Sequence, residues 1–198
     1  GATMTNPSQF SWSQLYQARR AVAARFGRIF EVPIARRVRE VFAQQFRPED
    51  RVLEVGAGDR SMRDLVVGLQ ARYESCDPDP QGKHEHRDLA QVPGPYNCIA
   101  AFEVVEHLTL DEIVPWLARL AELLAPGGRL ILSTPNTYYP PDFLRDATHR
   151  TPLCYDELGG LLESSGLKVT RIARIYHDPL HRKLLKRCLL YTSDAADE

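Results

Sequence analysis

The chain has 198 residues and a net charge of −1, with 43% hydrophobic and 26% charged residues. This length suffices for one domain with a sizeable core, and the composition is that of a globular protein rather than a disordered or fibrous one. No apolar run approaches the roughly 20 residues that a membrane-spanning helix needs. The four cysteines show no CxxC spacing, which predicts free thiols in a reducing compartment and hence a cytoplasmic location.

The N-terminal segment is predicted to be helical over residues 11–46, where apolar residues recur at three- and four-residue spacing. Pro33 suits the first turn of a second helix within it. Eight arginines fall within residues 15–47, and such a basic surface suits an anionic small molecule or a peripheral contact with an anionic membrane. The aromatic residues that base stacking needs are not interleaved with them, which argues against a nucleic-acid partner. We interpret residues 1–47 as an N-terminal helical cap.

Strand and helix signals alternate from residue 48 onward. Short apolar runs predict strands, and the periodic segments between them predict helices, the first with Ser61 as its N-cap. This alternation indicates an α/β fold: a Rossmann-like, doubly wound, mostly parallel sheet with helices on both faces. The predicted strands are RVLEV (51–55), RYESC (72–76), a short strand within HEHRDL (84–89), YNCIAAF (96–102), RLILST (129–134) and LKVTRIARI (167–175). The predicted helices are SMRDLVVGLQ (61–70), DEIVPWLARLAELLAPGG (111–128) and YDELGGLLESSG (155–166).

The turn after the first strand is where such a sheet binds its ligand, because ligands lie beyond the carboxyl ends of parallel strands. Its sequence is Gly56-Ala57-Gly58-Asp59-Arg60, and Ser61 stands where a dinucleotide-binding G-x-G-x-x-G motif has its third glycine. A pyrophosphate would also be repelled by Asp59 and by Glu54 on the strand. These residues disfavour a dehydrogenase and suit a cofactor that has a cationic centre and no phosphate.

Five motifs in chain order resemble those of class I S-adenosylmethionine-dependent methyltransferases, over about residues 51–175. They are LEVGAGDR, CDPDP, RDL, AAFEVVEHL and LAPGGRLILSTPN. The resemblance implies an enzyme that takes a methyl group from S-adenosyl-L-methionine and releases S-adenosyl-L-homocysteine. This chain departs from the family at Arg60, where a third glycine often occurs.

The resemblance also assigns cofactor contacts residue by residue. It implies that the glycine-rich turn lines the methionine part of the cofactor and that backbone carbonyls after the fourth strand meet its ammonium group. Asp77 would hold the ribose hydroxyls, since one carboxylate can accept two O–H bonds, with Asp79 as its rival. Asp88 would accept from the adenine amine. The cofactor residues implied in this way are Glu54, Gly56, Ala57, Gly58, Asp77, Pro78, Asp88, Leu89, Phe102 and Glu103.

Two histidines lie in loops that the predicted fold places on the cofactor side. His107 follows the fourth strand and His149 lies in the loop after the fifth, and each is a candidate catalytic base for an O–H or N–H acceptor. The alternative for His107 is a local role at a helix start, and for His149 a loop-organising hydrogen bond. The predicted substrate contacts are Tyr16 and Arg20, with Arg19 as a further residue to test, and Tyr138 and Tyr139.

These assignments favour a methyltransferase that acts on a small molecule without a metal, with O-methyl transfer slightly favoured. A second hypothesis is a metal-assisted RNA 2′-O-methyltransferase, because an E-x-x-E-H…H pattern resembles the small-RNA 3′-terminal enzymes, where such residues bind a divalent metal. The pattern consists of Glu103, Glu106, His107 and His149. A third hypothesis is a cofactor-binding protein without turnover.

The end of the chain is predicted to be non-native. Residues 188–198, CLLYTSDAADE, resemble a translated transposon adapter, which places the end of the native reading frame near Arg187. Because sheets of the family usually end in an antiparallel strand pair, the resemblance implies a sheet that lacks its last strand. An open edge favours a homodimer that covers it. The predicted divisions are the cap, a methyltransferase domain over residues 48–187, and this tail.

Overall fold

The computed structural model describes residues 11–35 and 37–175. Within this part of the chain, no helix is both long and apolar enough to cross a membrane. The elements are α1 (Trp12–Phe26), β1 (Ile34–Ala35), α2 (Val38–Ala43), β2 (Arg51–Val55), α3 (Arg63–Gly68), β3 (Arg72–Cys76), β4 (Tyr96–Phe102), α4 (Leu110–Leu123), β5 (Leu124–Ser133), α5 (Pro140–Leu144), α6 (Tyr155–Ser164) and β6 (Arg174–Ile175), with short 3₁₀ turns at Leu89–Gln91 and Val105–His107.

The main sheet is parallel throughout and has the strand order β3-β2-β4-β5. Its two central strands are buried on both faces. Leu53 and Ile99 face one side, where α4 and α6 pack, whereas Val52 and Cys98 face the other, where α2 and α3 pack. Near-continuous burial of a strand is what a parallel sheet covered by helices on both faces requires. The predicted Rossmann-like α/β fold is confirmed.

The predicted third strand is wrong, because residues 84–89 form only one isolated bridge, between His86 and Cys76. Side-chain hydrogen bonds take the place of a second strand ladder at this edge. The carboxylate of Glu85 accepts from the backbone nitrogen of Ser75 at 2.8 Å and from its hydroxyl at 2.7 Å. Together with the backbone bonds from His86 to Ser75 and from Asp77 to His86, this carboxylate attaches the segment to the edge of β3.

The predicted sixth strand is also wrong in length and in partner. Only β6 is extended into a strand, and it pairs in parallel with β1 in a separate two-stranded sheet. This pairing displaces the second N-terminal helix, for which Pro33 was predicted to form the first turn. The carbonyl of Pro33 instead accepts from the backbone nitrogen of Arg174 at 2.8 Å, and the helix starts only at Val38.

The prediction of a missing last strand concerns residues 176–198, which lie outside the described residues. The non-native tail and the homodimer therefore stay predictions, and sedimentation analysis of the purified chain would test the dimer.

The N-terminal helix α1 packs against α6 at two consecutive glycines. A Cβ added to Gly159 would lie 2.8 Å from Cγ1 of Val22, and one added to Gly160 would lie 3.1 Å from the backbone nitrogen of Arg19. Both separations are shorter than ordinary van der Waals contact. The absence of side chains at these two positions is therefore what lets the helices approach so closely.

Replacing Gly159 with leucine is expected to lower the free energy of unfolding by about 2–3 kcal/mol, because overpacking a close contact displaces its neighbours. Urea unfolding measures the effect. Gly68→Leu is the matched control, since a Cβ at this exposed helical position has no described atom within 4 Å. The control is expected to be neutral or stabilising by up to about 1 kcal/mol, because glycine is a poor helix former. Equal destabilisation by both variants would contradict the close helix contact.

Candidate active site

The turn after β2 has the conformation that its glycines allow. Gly56 has a φ of 67° and donates from its backbone nitrogen to the carbonyl of Cys76 at 2.8 Å. A Cβ on Gly56 would lie 2.3 Å from Cγ2 of Val104, so only glycine fits there. Gly58 has a φ of 46°, and a Cβ there would meet no described atom within 4 Å. The turn is therefore closely packed beneath Gly56 and open at Gly58, as a ligand cradle requires.

Arg60 keeps the backbone conformation of the glycine that it replaces in the family pattern. Its φ is 60°, in the left-handed region. The guanidinium donates to the carbonyl of Lys83 at 2.5 Å and to Oε1 of Glu85 at 2.6 Å, and it lies 5.3 Å from the ring centroid of Tyr73. The positive charge is thus paired with Glu85, and the departure from the family pattern leaves the turn intact.

The residues beside this turn have local partners. Oδ1 of Asp59 accepts from the backbone nitrogen of Ser61 at 3.0 Å. The predicted N-cap at Ser61 is wrong, because α3 begins one residue later than that prediction requires and Met62 occupies the N-cap position. Ala57 is buried.

Glu54 is buried at the end of β2 and accepts a short hydrogen bond from the hydroxyl of Tyr73 on β3. Burial raises the pKa of Glu54, and the bond from Tyr73 opposes that rise. This bond ties the neighbouring strands together beneath the turn.

Asp77 connects the ends of β2 and β3. Its Oδ2 accepts from the backbone nitrogen of Gly58 at 2.9 Å, and its Oδ1 accepts from that of Asp79 at 2.9 Å. Each carboxylate oxygen has a second lone pair, so the group can still accept two hydroxyl bonds. Asp79 is exposed and accepts from the backbone nitrogen of Gln81, while Pro78 is exposed between them. Of the two rivals, Asp77 is therefore the one that contacts the glycine-rich turn.

Asp88 caps the 3₁₀ turn that follows it. Its Oδ1 accepts from the backbone nitrogen of Ala90 at 2.9 Å, and its Oδ2 accepts from Nε2 of Gln91 at 3.3 Å. Leu89 is partly buried against the core. The side chain of Asp88 is exposed, so the adenine contact stays a prediction beside an observed capping role.

The chain turns sharply where β4 ends. Glu103 has a φ of 55°, and its Oε1 accepts from the hydroxyl of Ser133 on β5 at 2.7 Å. The ring of Phe102 packs edge-on against Phe42, with centroids 5.5 Å apart. Because that ring faces the core, a cofactor contact at Phe102 would be made by its backbone. Residues in sparsely populated conformations occur often at functional sites, and Glu103 fits this pattern.

These features fit S-adenosylmethionine. The turn is open at Gly58. The carboxylate of Asp77 adjoins it and can accept further hydrogen bonds, while the guanidinium of Arg60 is paired with Glu85. A cation with ribose hydroxyls matches this acceptor-rich surface, whereas a pyrophosphate does not.

The two predicted catalytic histidines lie side by side. His107 ends the 3₁₀ turn after β4, and its ring centroid is 4.8 Å from that of His149, with the rings inclined at 70°. Nδ1 of His107 is 2.9 Å from the hydroxyl of Thr148, and Nδ1 of His149 is 2.7 Å from the carbonyl oxygen of Phe143. The loop-organising hydrogen bond considered for His149 is therefore present, and the second ring nitrogen lies 3.8 Å from Oδ2 of Asp146 and 3.9 Å from Oε1 of Glu106.

Glu106 lies beside this pair and is completely buried. Its Oε1 is 3.9 Å from Nε2 of His149, and neither carboxylate oxygen has a hydrogen-bond partner among the described residues. Burial raises the pKa of Glu106 to about 7; the backbone nitrogen of the same residue opposes this rise, whereas the negative charge of Glu103 adds to it. One potential ligand atom each from Glu106, His107 and His149 lies within 4.8 Å of the others.

An apolar pocket of about 180 Å³ adjoins the histidines. The ring of Phe143 forms part of its wall and lies 5.0 Å from the ring of His149, centroid to centroid. Sequence reasoning missed this pocket because its residues belong to a loop without hydrophobic periodicity. The lining residues are Thr137, Pro140, Phe143, Leu144 and Pro152.

The predicted substrate residues form two groups. Tyr16 stacks on Trp12 with centroids 5.3 Å apart, and the guanidinium of Arg20 lies 5.9 Å from the Tyr16 ring. Tyr138 is 54% exposed and Tyr139 is 41% exposed, both next to the apolar pocket in sequence. Whether either group binds substrate stays a prediction.

Arg19 connects α1 with the start of α6. It pairs with Asp156 at 3.3 Å and with Glu157 at 3.2 Å, both in the first turn of α6. Its positive charge is also close enough to Tyr138 to lower the pKa of that phenol, against the larger raising effect of burial. The N-terminal helix is therefore held near the loop that carries the pocket.

Comparisons with known proteins agree with this geometry. A family model described as a methyltransferase domain matches residues 24–172. No curated protein matches the sequence significantly. A SAM-dependent methyltransferase from Archaeoglobus fulgidus has a similar structure, with a TM-score of 0.58, 18% identity and 90% of each chain covered.

Two further solved structures are similar and act on different kinds of molecule. Mitomycin 7-O-methyltransferase MmcR has a TM-score of 0.53 and 17% identity, covering 80% of this chain and 49% of that chain. The small RNA methyltransferase HEN1 has a TM-score of 0.51 and 14% identity, covering 84% of this chain and 23% of that chain. At such identities the likeness shows the fold alone. With the family model matching most of its length and the cofactor turn intact, the chain belongs to the methyltransferase domain family and is a class I enzyme that uses S-adenosylmethionine.

Proposed function

We propose that this enzyme methylates a hydroxyl group of a small molecule. The observation that carries the proposal is the apolar pocket beside the histidine pair, because Phe143 belongs to the pocket wall and also packs on His149. Its volume of about 180 Å³ is below the roughly 300–1,000 Å³ of typical small-molecule sites, so it would take only a ring or a short chain of an acceptor. When bound, S-adenosylmethionine supplies the electrophilic methyl group, and the protein aligns the acceptor with it.

The hydrogen bonds of the histidines define their tautomers. The hydroxyl of Thr148 donates to Asp146 at 2.7 Å, so it accepts from Nδ1–H of His107. The carbonyl of Phe143 can only accept, so Nδ1 of His149 also carries a hydrogen. In its neutral form, each ring therefore has its lone pair on Nε2. In the proposed reaction, these nitrogens accept a hydrogen bond from the acceptor hydroxyl and favour loss of its proton.

The loop that carries His149 is fastened to the turn that carries His107. The carbonyl of Glu106 accepts from the backbone nitrogens of Arg150 at 2.7 Å and Thr151 at 3.1 Å. These bonds fix the relative positions of the two imidazoles before an acceptor arrives. Such preorganisation is what aligns a nucleophile without a further entropy cost during the reaction.

The arginines of α1 support a small acceptor over a nucleic acid. Arg19 is paired with acidic residues of α6, and Arg25 is paired with Glu163 at 2.5 Å. Because these arginines are neutralised by acidic partners, they contribute less to binding the phosphate backbone of a nucleic acid. We propose that residues 1–47 serve as a cap attached to α6 through such pairs, near the acceptor pocket.

The RNA 2′-O-methyltransferase remains a second candidate, and one observation favours it. Glu106, His107 and His149 of the E-x-x-E-H…H pattern do converge, although the carboxylate of Glu103 is instead bonded to Ser133. The proposal and this candidate differ in the acceptor, which an assay can distinguish directly.

The test is transfer of a radiolabelled methyl group to a panel of small phenols and alcohols and, in parallel, to RNA oligonucleotides with a free 2′-hydroxyl at the 3′ end. We expect transfer to a small hydroxyl compound. We expect His149→Ala to lower kcat/KM by roughly 100-fold or more while affinity for S-adenosylhomocysteine is unchanged. His84→Gln is the control outside the acceptor site.

Transfer to RNA alone would overturn the proposal in favour of the second candidate. Binding of S-adenosylhomocysteine without transfer to any acceptor would favour a cofactor-binding protein without turnover. An equal effect of the His149 and His84 substitutions would show that the histidine pair has no special part in the reaction.

A further inference from the structure

We propose that Arg60 is a positioning residue of the cofactor site: its guanidinium ties the glycine-rich turn to the segment 83–85 and so fixes the separation of the two halves of the site. The turn belongs to the half that is predicted to hold the methionine part of the cofactor. The segment lies in the chain between Asp77 and Asp88, the predicted contacts of ribose and adenine. The inference goes beyond the proposed function, because it concerns the cofactor and holds for any acceptor.

The first argument is that the side-chain bonds of Arg60 cross from one half of the site to the other. Its backbone is part of the turn, since the nitrogen donates to the carbonyl of Ala57 at 2.7 Å. Its side chain leaves the turn and donates to the carbonyl of Lys83 at 2.5 Å and to Oε1 of Glu85 at 2.6 Å. A planar guanidinium with two partners on one segment defines the direction of that segment as well as its distance.

The second argument is that the segment 83–85 has its own attachment to the sheet. Oε2 of Glu85 accepts from the backbone nitrogen of Ser75 at 2.8 Å and from its hydroxyl at 2.7 Å. Ser75 is completely buried on β3, and its carbonyl accepts from the backbone nitrogen of His86 at 3.0 Å. Without Arg60, the segment is therefore expected to keep its place, whereas the turn loses its link to the segment.

The third argument is the backbone conformation of Arg60. Its φ of 60° is strained for a residue with a Cβ and relaxed for glycine, which often occurs at this position in the family. The side chain is only 21% exposed, and the guanidinium lies 5.3 Å from the ring centroid of Tyr73 on β3. The backbone at this position thus favours glycine, and what arginine adds is contact between the turn, β3 and the segment.

A fixed separation matters because S-adenosylmethionine extends over both halves of the site. Once one part of the ligand is bound, the other part meets its contacts at an effective concentration that depends on how well the two halves are held in register. Oδ2 of Asp77 already accepts from the backbone nitrogen of Gly58 at 2.9 Å. Arg60 adds a second link two residues further along the turn, which restricts rotation of the turn about the first and lowers the cost of ordering it on binding.

The experiment measures the affinity of the full chain, Arg60→Asn and Arg60→Gly for S-adenosylhomocysteine, S-adenosylmethionine and adenosine. Both substitutions remove the guanidinium and tolerate the left-handed conformation. Isothermal titration calorimetry gives the first two affinities, and competition against S-adenosylhomocysteine gives that of adenosine. We expect both cofactor forms to bind roughly 10-fold more weakly to the variants. Adenosine carries only the ribose and adenine, so its affinity is expected to change by less than about twofold.

Two comparisons separate positioning from an effect of charge. S-adenosylmethionine carries a sulfonium charge that S-adenosylhomocysteine lacks, so loss of a purely electrostatic effect of Arg60 would strengthen binding of the former relative to the latter. Positioning predicts equal losses for both. Arg63→Ala is the matched control, because Arg63 is exposed, carries the same charge and pairs with its neighbour Asp64 at 3.5 Å. The control is expected to bind all three ligands as the unmodified chain does.

Arg60→Lys tests rescue by a conservative substitution. Its affinity for S-adenosylhomocysteine is expected to fall between those of the unmodified chain and Arg60→Asn. The reason is that an ammonium group can pair with Glu85 but lacks the planar fork that also reaches the carbonyl of Lys83.

Unchanged affinity for S-adenosylhomocysteine in Arg60→Asn and Arg60→Gly would overturn the inference. An equal loss for adenosine, a changed ratio of the two cofactor affinities or the same loss in Arg63→Ala would also overturn it. Circular dichroism checks folding, and if Arg60→Asn does not fold, Arg60→Gly decides, because glycine relieves the backbone strain. No acceptor enters the experiment, so its outcome is independent of the proposed function.

Discussion

Replacing Asp77 with alanine is expected to weaken binding of S-adenosylhomocysteine by roughly 100-fold, because the two hydrogen bonds that we predict between its carboxylate and the ribose hydroxyls would be lost at about 1.5 kcal/mol each. The carboxylate also accepts from the backbone nitrogen of Gly58, so the substitution loosens the turn that carries the cofactor. Isothermal titration calorimetry measures the affinity, and circular dichroism confirms that the variant is folded.

Asp79→Ala is the matched control for this experiment, since Asp79 is the rival acidic residue and its carboxylate accepts a local bond from the backbone nitrogen of Gln81. We expect its affinity to change by less than about threefold, as for an exposed surface group. A larger loss in Asp79→Ala than in Asp77→Ala would reverse the assignment of the ribose contact.

Replacing Gly56 with alanine is expected to lower the free energy of unfolding by about 3 kcal/mol. Roughly 1–2 kcal/mol comes from a residue with a Cβ in the left-handed conformation, and the rest from overpacking against Val104. The added Cβ would lie 2.3 Å from Cγ2 of that valine, whose branched side chain has little freedom to move. Urea unfolding of the purified variant measures the loss.

A double-mutant cycle separates the two causes. Val104→Ala introduced together with Gly56→Ala is expected to relieve the overpacking and leave only the backbone strain. Gly58→Ala is the contrasting variant, because space there is open. It is expected to cost only about 1 kcal/mol in stability while weakening cofactor binding, since its methyl group would extend into the open space where we expect the cofactor. Equal stability losses at Gly56 and Gly58 would contradict this description of the turn.

The strands that sequence reasoning predicted correctly are those whose signals are local. β3 and β4 have the predicted bounds, because each is a compact strand-forming run that ends at turn-forming residues. The ordered motifs then placed the cofactor turn at the carboxyl end of β2, where parallel sheets bind ligands. Even Arg60 follows the pattern, because the surrounding contacts hold it in a conformation that glycine usually supplies.

The errors in the fold arise from partners distant in sequence. Ile34 and Ala35 are extended because their neighbours bond to Arg174, which lies about 140 residues further along the chain. No local pattern at Pro33 could reveal that partner. The third strand was lost for a local reason: its backbone pairing with the β3 edge is limited to His86, and the side chain of Glu85 bonds to Ser75 beside it.

The acceptor site was predictable only in part. His107 and His149 were identified because both follow strands at the ligand-binding end of the sheet, and the structure brings them together. Glu106 was noticed only through a family pattern, since nothing in its sequence shows that it is buried without a partner. The pocket around Phe143 depends on how an irregular loop folds, for which periodicity gives no signal.

The packing of α1 on α6 has a consequence for synthesis of the protein. Among the described helices, α1 is made first, and its main partner α6 is made last; β1 likewise pairs with β6, the last described strand. At roughly 5–20 residues per second, translation separates α1 from α6 by roughly 7–30 s. Throughout this interval, the apolar face of α1 around Val22 has no native surface to cover it. A nascent chain of this protein therefore presents α1 uncovered to chaperones at the ribosome exit, and of the described helices the earliest made is among the last to dock.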